Sequence, residues 1–277
     1  MSRELTLRIY SSIVLIAVVV TATWYGGMAF RAMAALISLL IFYEWSTITG
    51  LHEKSPRGNA WAWLAVVVVA ANLLFGWSDL TVPLLGGFTV TALVLAFAGV
   101  WSGWVVGGIV YAGLSAVSLA DIRGEDAVGF AAMLFVFAVV WSTDILAYFV
   151  GRAIGGPKLA PRISPGKTWS GAIGGTIAGV LGGIGMTLCF FQTVGAWVIG
   201  VAFLLSVSSQ IGDLFESFIK RRFGVKDSSQ LIPGHGGVMD RVDGLVFACF
   251  TAFFLAVFHA ASTGRPVEAL GSFLFGL

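Results

Sequence analysis

Four carboxylates interrupt apolar segments of this 277-residue chain: Glu44, Asp144, Asp213 and Glu216. A charged group at membrane depth costs about 2.5–3.5 kcal/mol on insertion scales, so each of them needs a structural or functional reason. Glu216 has one, because Lys220 follows at the i+4 spacing that favours a salt bridge on a helix. That pairing does not explain Asp213, which lies a turn deeper in the segment. Asp213 is therefore the strongest candidate for chemistry among the four.

The other two carboxylates have simpler explanations. Glu44 stands near the inner end of its apolar segment, and we expect it to be hydrated at the membrane interface. Asp144 precedes Arg152 by about two helical turns, so a structural ion pair competes with a functional role. For Asp144 both alternatives stay open at this stage.

A glycine-rich segment follows the apolar run that carries Asp213. Pro233, Gly236 and Gly237 prevent a regular helix there and expose backbone N–H groups that could cradle anionic oxygens. Non-helical backbone near a membrane is tolerated where it is buried in protein or lines a wet cavity, so the segment is expected to form the wall of a site. His235 lies within it as a candidate for phosphate binding or proton transfer, although histidines in loops often have structural roles.

The last apolar segment opens with two further carboxylates, Asp240 and Asp243. Asp243 is also explained as a negative charge favoured at a helix N-terminus. The oxygens of Asp213 and Asp240 suit Mg²⁺, which prefers hard oxygen ligands and bridges substrate phosphates. Lys and Arg residues are concentrated in 152–167 and 220–241, and such clusters match a polyphosphate. The pattern indicates phosphoryl or nucleotidyl transfer at the cytoplasmic face of a membrane, with positioning and charge neutralisation as the main catalytic means.

The composition shows which elements must position these groups. Hydrophobic residues make up 58% of the chain and charged residues 11%, with a mean hydropathy of +0.93. This excludes a cytosolic enzyme, a disordered chain and a nucleic-acid binder with a basic face. We predict an all-α polytopic membrane protein with about nine transmembrane helices. The predicted spans are Ile9–Ala29, Ala32–Ile48, Ala60–Trp77, Leu80–Val100, Trp104–Leu119, Val128–Val150, Ser170–Phe191, Ala196–Phe218 and Val242–Ala261.

Charge placement predicts the orientation. With nine spans and the N-terminus inside, thirteen of the 16 Lys and Arg residues fall on the inner side. Only Arg31, Arg123 and Arg265 fall outside, which obeys the positive-inside rule. The chain contains 36 glycines, and small residues allow transmembrane helices to approach one another closely. The predicted topology is N-in and C-out, with a polar cavity facing the cytoplasm.

The segment Ser217–Asp243, including the run from Ile232 through His235 to Asp240, matches a known signature at every defined position. In this it resembles the phosphatidate cytidylyltransferases, also called CDP-diacylglycerol synthases. Residues 144–169 resemble a second block of the family. Ser170 departs from the pattern, because relatives often carry Glu or Gln at that place.

The resemblance implies transfer of CMP from CTP to phosphatidate, giving CDP-diacylglycerol and pyrophosphate, by in-line attack of the lipid phosphate on the α-phosphorus with Mg²⁺. A second, monovalent cation is left open. The positions carried over are Asp213 and Asp240 for the metal, Lys220, Arg221, Lys226 and Arg241 for phosphates, and Asp144, Lys167, Ser217, Asp227 and His235 for the rest of the catalytic site. The expected partners are CTP, phosphatidate and the bilayer, without nucleic acid, and the expected location is the inner membrane with the site facing the cytoplasm. A homodimer is left open.

Residues 1–125 are expected to form N-terminal membrane helices that shape a lipid groove or a subunit interface, and residues 126–277 are expected to form the catalytic membrane region.

Two other functions compete with cytidylyl transfer. A proton- or ion-coupled transporter would spread ionisable groups through the membrane and show internal repeats, and no repeat is apparent. The second alternative is another lipid-phosphate enzyme, such as a CDP-alcohol phosphotransferase or a polyprenol kinase. The phosphotransferase would need an Asp-Gly-x2-Ala-Arg motif, whereas the sole Asp-Gly pair in this sequence, Asp243-Gly244, continues into Leu-Val-Phe.

Overall fold

A computed structural model describes residues 3–76, 78–264 and 269–277. The helices are α1 (Arg3–Tyr25), α2 (Gly27–Thr49), α3 (Leu51–Lys54), α4 (Pro56–Phe75), α5 (Ser78–Phe97), α6 (Gly103–Arg123), α7 (Ala127–Ile154), α8 (Trp169–Phe190), α9 (Ala196–Arg222), α10 (Met239–Thr263) and α11 (Leu270–Phe275). A two-stranded antiparallel hairpin, β1 (Lys158–Ala160) and β2 (Ser164–Thr168), lies between α7 and α8.

The helices confirm the prediction of an all-α polytopic membrane protein. Within the described ranges, eight helices are long and apolar enough to cross a membrane, namely α2 and α4 to α10. The apolar part of α1, Ile9–Tyr25, is shorter than these. Each predicted span lies mainly on one helix, although Ile9–Ala29 runs from α1 into the start of α2. The predicted break between the fourth and fifth spans is confirmed, since α5 ends at Phe97 and α6 begins at Gly103. The N-in and C-out orientation stays a prediction, and Arg265, one of its outer charges, lies outside the described residues.

The chain forms two compact units, neither of which is continuous in sequence. Unit 1 comprises residues 1–120 and 222–241, and unit 2 comprises residues 121–221 and 242–277. These units describe packing and do not test the predicted functional division between residues 125 and 126, which stays a prediction.

In unit 1, α2 packs on α4, and α4 on α5, around large side chains. Trp45 on α2 is fully buried, and its indole Nε1 donates to the Trp104 carbonyl at 2.9 Å. A Cβ at Gly107 or Gly108 on α6 would lie only 2.8 Å from ring atoms of Trp45, so these glycines make room for the indole. This packing fixes the C-terminal half of α2, where Glu44 lies next to Trp45.

In unit 2, α7 and α8 form the most extensive helix pair. Four glycines of α8 recur every fourth residue and are buried against its neighbours: Gly171, Gly175, Gly179 and Gly183. Thr143 on α7 also makes a 2.6 Å hydrogen bond to Ser206 on α9. Close helix approach through small residues therefore fixes the parts of α7 and α9 that carry Asp144 and Asp213.

Candidate functional site

Two predicted site residues of unit 2 form an ion pair. The ammonium of Lys167, at the end of β2, contacts the Oδ2 atom of Asp213 on α9. The side chains are 26% and 38% exposed, so neither group is enclosed by the protein. The structure thus brings together two predicted site residues that lie far apart in the sequence.

Two more carboxylates lie within electrostatic range of this pair. Asp144 on α7 interacts with the charges of Asp213 and Lys167, and Asp243 on α10 interacts with those of Asp213, Asp144 and Lys167. Three carboxylates around one ammonium leave a net negative charge when all are ionised, which favours a cation. Arg152, the alternative partner of Asp144, donates instead to the Tyr148 hydroxyl at 2.9 Å. Asp243, which the sequence explained as a helix-terminal charge, joins the acidic group.

The N-cap of α8 explains why Lys167 is held at the end of the hairpin. Thr168, the next residue, is the N-cap of α8, and its hydroxyl accepts from the Gly171 amide at 3.1 Å. Ser170 donates its hydroxyl proton to the Gly155 carbonyl at the end of α7. The residue that departs from the family pattern therefore holds the two ends of the α7–hairpin–α8 connection together.

Helical spacing on α9 accounts for the residues that follow Asp213. Ser217 donates to the Oδ1 atom of Asp213 at 3.4 Å, a long hydrogen bond at the i+4 position. The predicted Glu216–Lys220 pair is confirmed, with 2.8 Å between Lys220 Nζ and Glu216 Oε2 and both side chains largely buried. Lys220 stays a predicted phosphate ligand, but a phosphate would have to share its ammonium with Glu216. Arg221, on the same turn, is exposed.

The glycine-rich segment belongs to unit 1 and forms a compact turn. Ile232 and Gly236 pair as an isolated antiparallel bridge, with the Ile232 amide donating to the Gly236 carbonyl at 2.8 Å. Gly234 and Gly236 have φ values of 78° and 85°, which favour glycine over other residues. The predicted non-helical loop is confirmed.

Asp240, the predicted metal ligand in this unit, binds the loop itself. Its Oδ2 atom accepts from the Ser228 amide at 2.9 Å, the Ser228 hydroxyl at 2.8 Å and the Gly237 amide at 2.8 Å. One carboxylate oxygen therefore holds the two ends of the turn together. Asp240 and Asp213 belong to different units, and their binding of one shared cation stays a prediction.

Glu44 corrects the sequence interpretation. The expectation that it is hydrated at the interface is wrong, because its exposed fraction is 0%. Its Oε1 atom accepts from the Ser229 hydroxyl at 2.6 Å and the Val238 amide at 2.8 Å. Its Oε2 atom accepts from the Ser228 hydroxyl at 3.1 Å and the Met239 amide at 2.6 Å. These partners lie 184–195 positions away, so no local pattern could reveal them.

His235 is held by α1. Its Nδ1 atom lies 2.8 Å from the Ser11 hydroxyl and its Nε2 atom 3.2 Å from the Ser12 hydroxyl. The Ser11 hydroxyl also donates to the Pro233 carbonyl at 3.1 Å. Both ring nitrogens are therefore engaged within the protein, which supports a loop-holding role more directly than the predicted catalytic one.

The remaining predicted residues all belong to unit 1. Lys226, Asp227 and Arg241 are exposed on unit 1, in or next to the loop. Within residues 3–76, 78–264 and 269–277, no three His, Cys, Asp or Glu side chains are placed so that they could hold a metal ion by themselves. An ion bound by the acidic group of unit 2 would thus take further ligands from water or substrate.

The comparisons with known proteins cover nearly the whole chain. The model of the cytidylyltransferase family matches residues 6–259. A protein named phosphatidate cytidylyltransferase from Brucella abortus is 47% identical over 262 residues, covering 93% of this chain and 95% of the relative. Proteins of the same name from Pseudomonas aeruginosa and Haemophilus influenzae are 35% and 34% identical, over 94% and 90% of this chain and 98% of each relative.

Proposed function

Because the chain belongs to the cytidylyltransferase family and is an integral membrane enzyme, we propose that it transfers the cytidylyl group of CTP to phosphatidate. The products are CDP-diacylglycerol and pyrophosphate. The names of its relatives give the lipid substrate. The observation that carries the proposal is the Lys167–Asp213 pair with Asp144 and Asp243 around it, a charged group held by membrane-spanning helices.

The chemistry needs positioning more than proton transfer. A phosphate oxygen of the lipid forms the new bond to the α-phosphorus of CTP, and the bond from that phosphorus to the bridging oxygen of the β-phosphate breaks. The attacking phosphate is already an anion, so no general base is required. Lys167 would neutralise the pyrophosphate leaving group, while Arg241 and Lys226 would orient phosphates by charge-assisted hydrogen bonds.

The donor set of unit 2 fits Mg²⁺. Carboxylates of Asp213, Asp144 and Asp243 offer hard oxygens, and Mg²⁺ ordinarily binds through one or two carboxylates while keeping waters and substrate phosphate oxygens. The bound ion would supply charge neutralisation at the phosphates. Lys167 would hold Asp213 in place before the ion arrives. Participation of Asp240 in the same site, and of a second, monovalent cation, remains a prediction from the resemblance.

The location is part of the proposal. Bacterial relatives and a multi-pass membrane chain favour the inner membrane, and CTP is a cytoplasmic nucleotide, so the site would face the cytoplasm. A homodimer also remains a prediction.

The test is a reconstitution of the reaction. Purified protein in detergent micelles receives CTP labelled at the α-phosphate, phosphatidate and Mg²⁺. We expect labelled CDP-diacylglycerol and an equal amount of unlabelled pyrophosphate. Replacing phosphatidate by diacylglycerol or dolichol should give no labelled lipid, and EDTA should stop the reaction until Mg²⁺ is restored. Product formation from diacylglycerol or dolichol, or none from phosphatidate, would refute the proposed substrate; activity that survives EDTA would refute the metal.

A further inference from the structure

Glu44 is a charged group whose place in the fold the reaction itself does not explain. It lies on α2, in the N-terminal half of the chain, and is completely buried. A buried carboxylate is costly unless its oxygens are well satisfied by donors. Two donors of the segment 228–239 lie within hydrogen-bond distance of each of its oxygens, and one of the four, the Ser228 hydroxyl, shares its single proton with Asp240. Glu44 is thus dedicated to that segment.

Two of the four donors are the amide of Val238, which immediately precedes α10, and the amide of Met239, its first residue. The amides of Val238 and Met239 stand at the start of a helix, where N–H groups have no partner within the helix. A carboxylate at this position satisfies them and interacts favourably with the positive end of the helix dipole. Helix α2 therefore supplies the N-terminal cap of α10, a role that a local Ser, Thr, Asp or Asn usually has.

The packing around Glu44 leaves little freedom for the turn. A Cβ at Gly237 would overlap both the Ser228 hydroxyl and the Glu44 carboxylate. The Gly237 amide donates to Asp240 from the other side of the turn. The position of Asp240, and of Arg241 after it, therefore depends on how Glu44 holds the residues before them.

We propose that Glu44 is a positioning residue of the cytidylyl transfer, acting through the loop Ser228–Arg241 without touching the substrates. This inference rests on the proposed function, because Asp240 and Arg241 matter for catalysis only if they meet the metal or phosphates. It also gives the N-terminal membrane helices of unit 1 a part in the reaction: they hold the catalytic loop in its working form.

The first test is steady-state kinetics of Glu44→Gln in the full-length protein. The amide keeps the shape but replaces one carboxylate oxygen by an NH2 group, so either the Ser229 and Val238 contacts or the Ser228 and Met239 contacts are lost. We expect kcat to fall about tenfold and KM for CTP to rise about threefold or more. Glu53→Gln is the matched control, because Glu53 is an exposed glutamate of the same unit. A purely structural role would lower the folded, active fraction and leave KM unchanged, and that result would overturn the proposal.

The second test measures the loop directly by hydrogen–deuterium exchange. In Glu44→Gln, amides of 228–239 should exchange about tenfold faster than in the unaltered protein, while those of α4 should not change. Ser229→Ala removes one donor without uncovering the carboxylate, and should change KM and exchange in the same direction by a smaller factor. It decides the question if Glu44→Gln fails to fold. Unchanged exchange in the loop would overturn the inference.

These readouts separate the inference from the proposed function. If the unaltered protein were inactive with CTP and phosphatidate, the proposed function would fail, and with it the catalytic role of Glu44. If that protein is active and Glu44→Gln leaves kcat, KM and exchange unchanged, the positioning role alone fails.

Discussion

The ion pair of Lys167 and Asp213 is partly exposed, and such a pair contributes little to the free energy of unfolding. Both side chains are about one-quarter to two-fifths exposed, and exposed pairs typically contribute about 0–1 kcal/mol. Asp213 nevertheless lies on a helix that is apolar enough to cross a membrane, where a carboxylate is costly. The pair is therefore better explained by chemistry than by stability.

Replacing Asp213 by asparagine should remove activity while leaving the fold intact. The amide keeps the shape and the contact with Ser217, but loses the charge that binds Lys167 and would bind a cation. We expect kcat to fall about a hundredfold or more, by analogy with loss of one electrostatic catalytic group. Asp79→Asn, an exposed aspartate on α5, should stay within about twofold of the unaltered protein. Retention of most of the rate in Asp213→Asn would refute its assignment as a ligand.

Lys167 can be tested against a lysine of the same hairpin. Lys167→Met removes the ammonium but keeps the aliphatic chain, and should lower kcat about 10²–10³-fold if the group neutralises charge on the reacting phosphates. Lys158 starts the paired strand and is exposed, so Lys158→Met should leave activity within about twofold. Equal losses in both variants would mean that the hairpin needs its net charge and not this particular ammonium.

The site residues show what local sequence can reveal. Carboxylates in apolar helices and i+4 spacing predict Asp213 and the Glu216–Lys220 pair, whereas Lys167 is singled out by the family resemblance. The environment of Glu44 is not predictable in this way because burial depends on distant packing: its position near a span end gives no sign of donors more than 180 residues away. The likeness of Ser217–Asp243 to a family signature predicts His235 as catalytic but not its contacts with α1.

At the scale of elements, glycines set how closely the helices that carry the site can approach. Gly179 on α8 faces Thr143 and Ser206, so it lies where α7, α8 and α9 meet. Gly185 lies further along α8, and among the described residues no neighbouring atom comes within 4 Å of the place that a methyl group would occupy there. The two positions therefore separate the effect of packing from that of helix propensity.

Alanine at these two glycines should have opposite effects on stability. At Gly179 the new Cβ would overlap the Thr143 hydroxyl and lie 2.8 Å from that of Ser206, which should lower the free energy of unfolding by about 1–3 kcal/mol. At Gly185 alanine should be neutral or stabilise by about 0.5–1 kcal/mol. Thermal unfolding in detergent measures both, and a Tm for Gly179→Ala at or above that of Gly185→Ala would contradict this explanation.

The elements themselves were the most predictable part of the molecule. Long apolar windows specify membrane helices because the bilayer demands about 20 such residues and internal hydrogen bonding. The hairpin of β1 and β2 was not predicted, because strands of three and five residues carry too few side chains for a periodic pattern. Its role in placing Lys167 becomes visible only when Thr168 is seen to cap α8.

At the scale of the whole molecule, sequence order and packing differ. The segment 222–241, from the end of α9 to the start of α10, belongs to the same compact unit as the first 120 residues, although most of α9 belongs to the other unit. No periodicity or composition shift marks such an exchange, since it arises from contacts like those of Glu44. The orientation in the membrane is different, because it depends on loop charges that are seen directly in the sequence but are not reflected in how the helices pack.

The N-in and C-out orientation can be tested by the side from which single cysteines react. The positive-inside rule predicts that Arg162, in the hairpin, lies on the cytoplasmic side of the membrane. It predicts that Glu125, between α6 and α7, lies on the opposite side. With the native cysteines Cys189 and Cys249 replaced by serine, a membrane-impermeant maleimide should label Glu125→Cys in intact spheroplasts and Arg162→Cys only in inverted vesicles. Both residues are exposed, so solvent access does not limit the reaction. Labelling of Arg162→Cys from outside would place the Lys167 hairpin away from cytoplasmic CTP and refute the proposed site orientation.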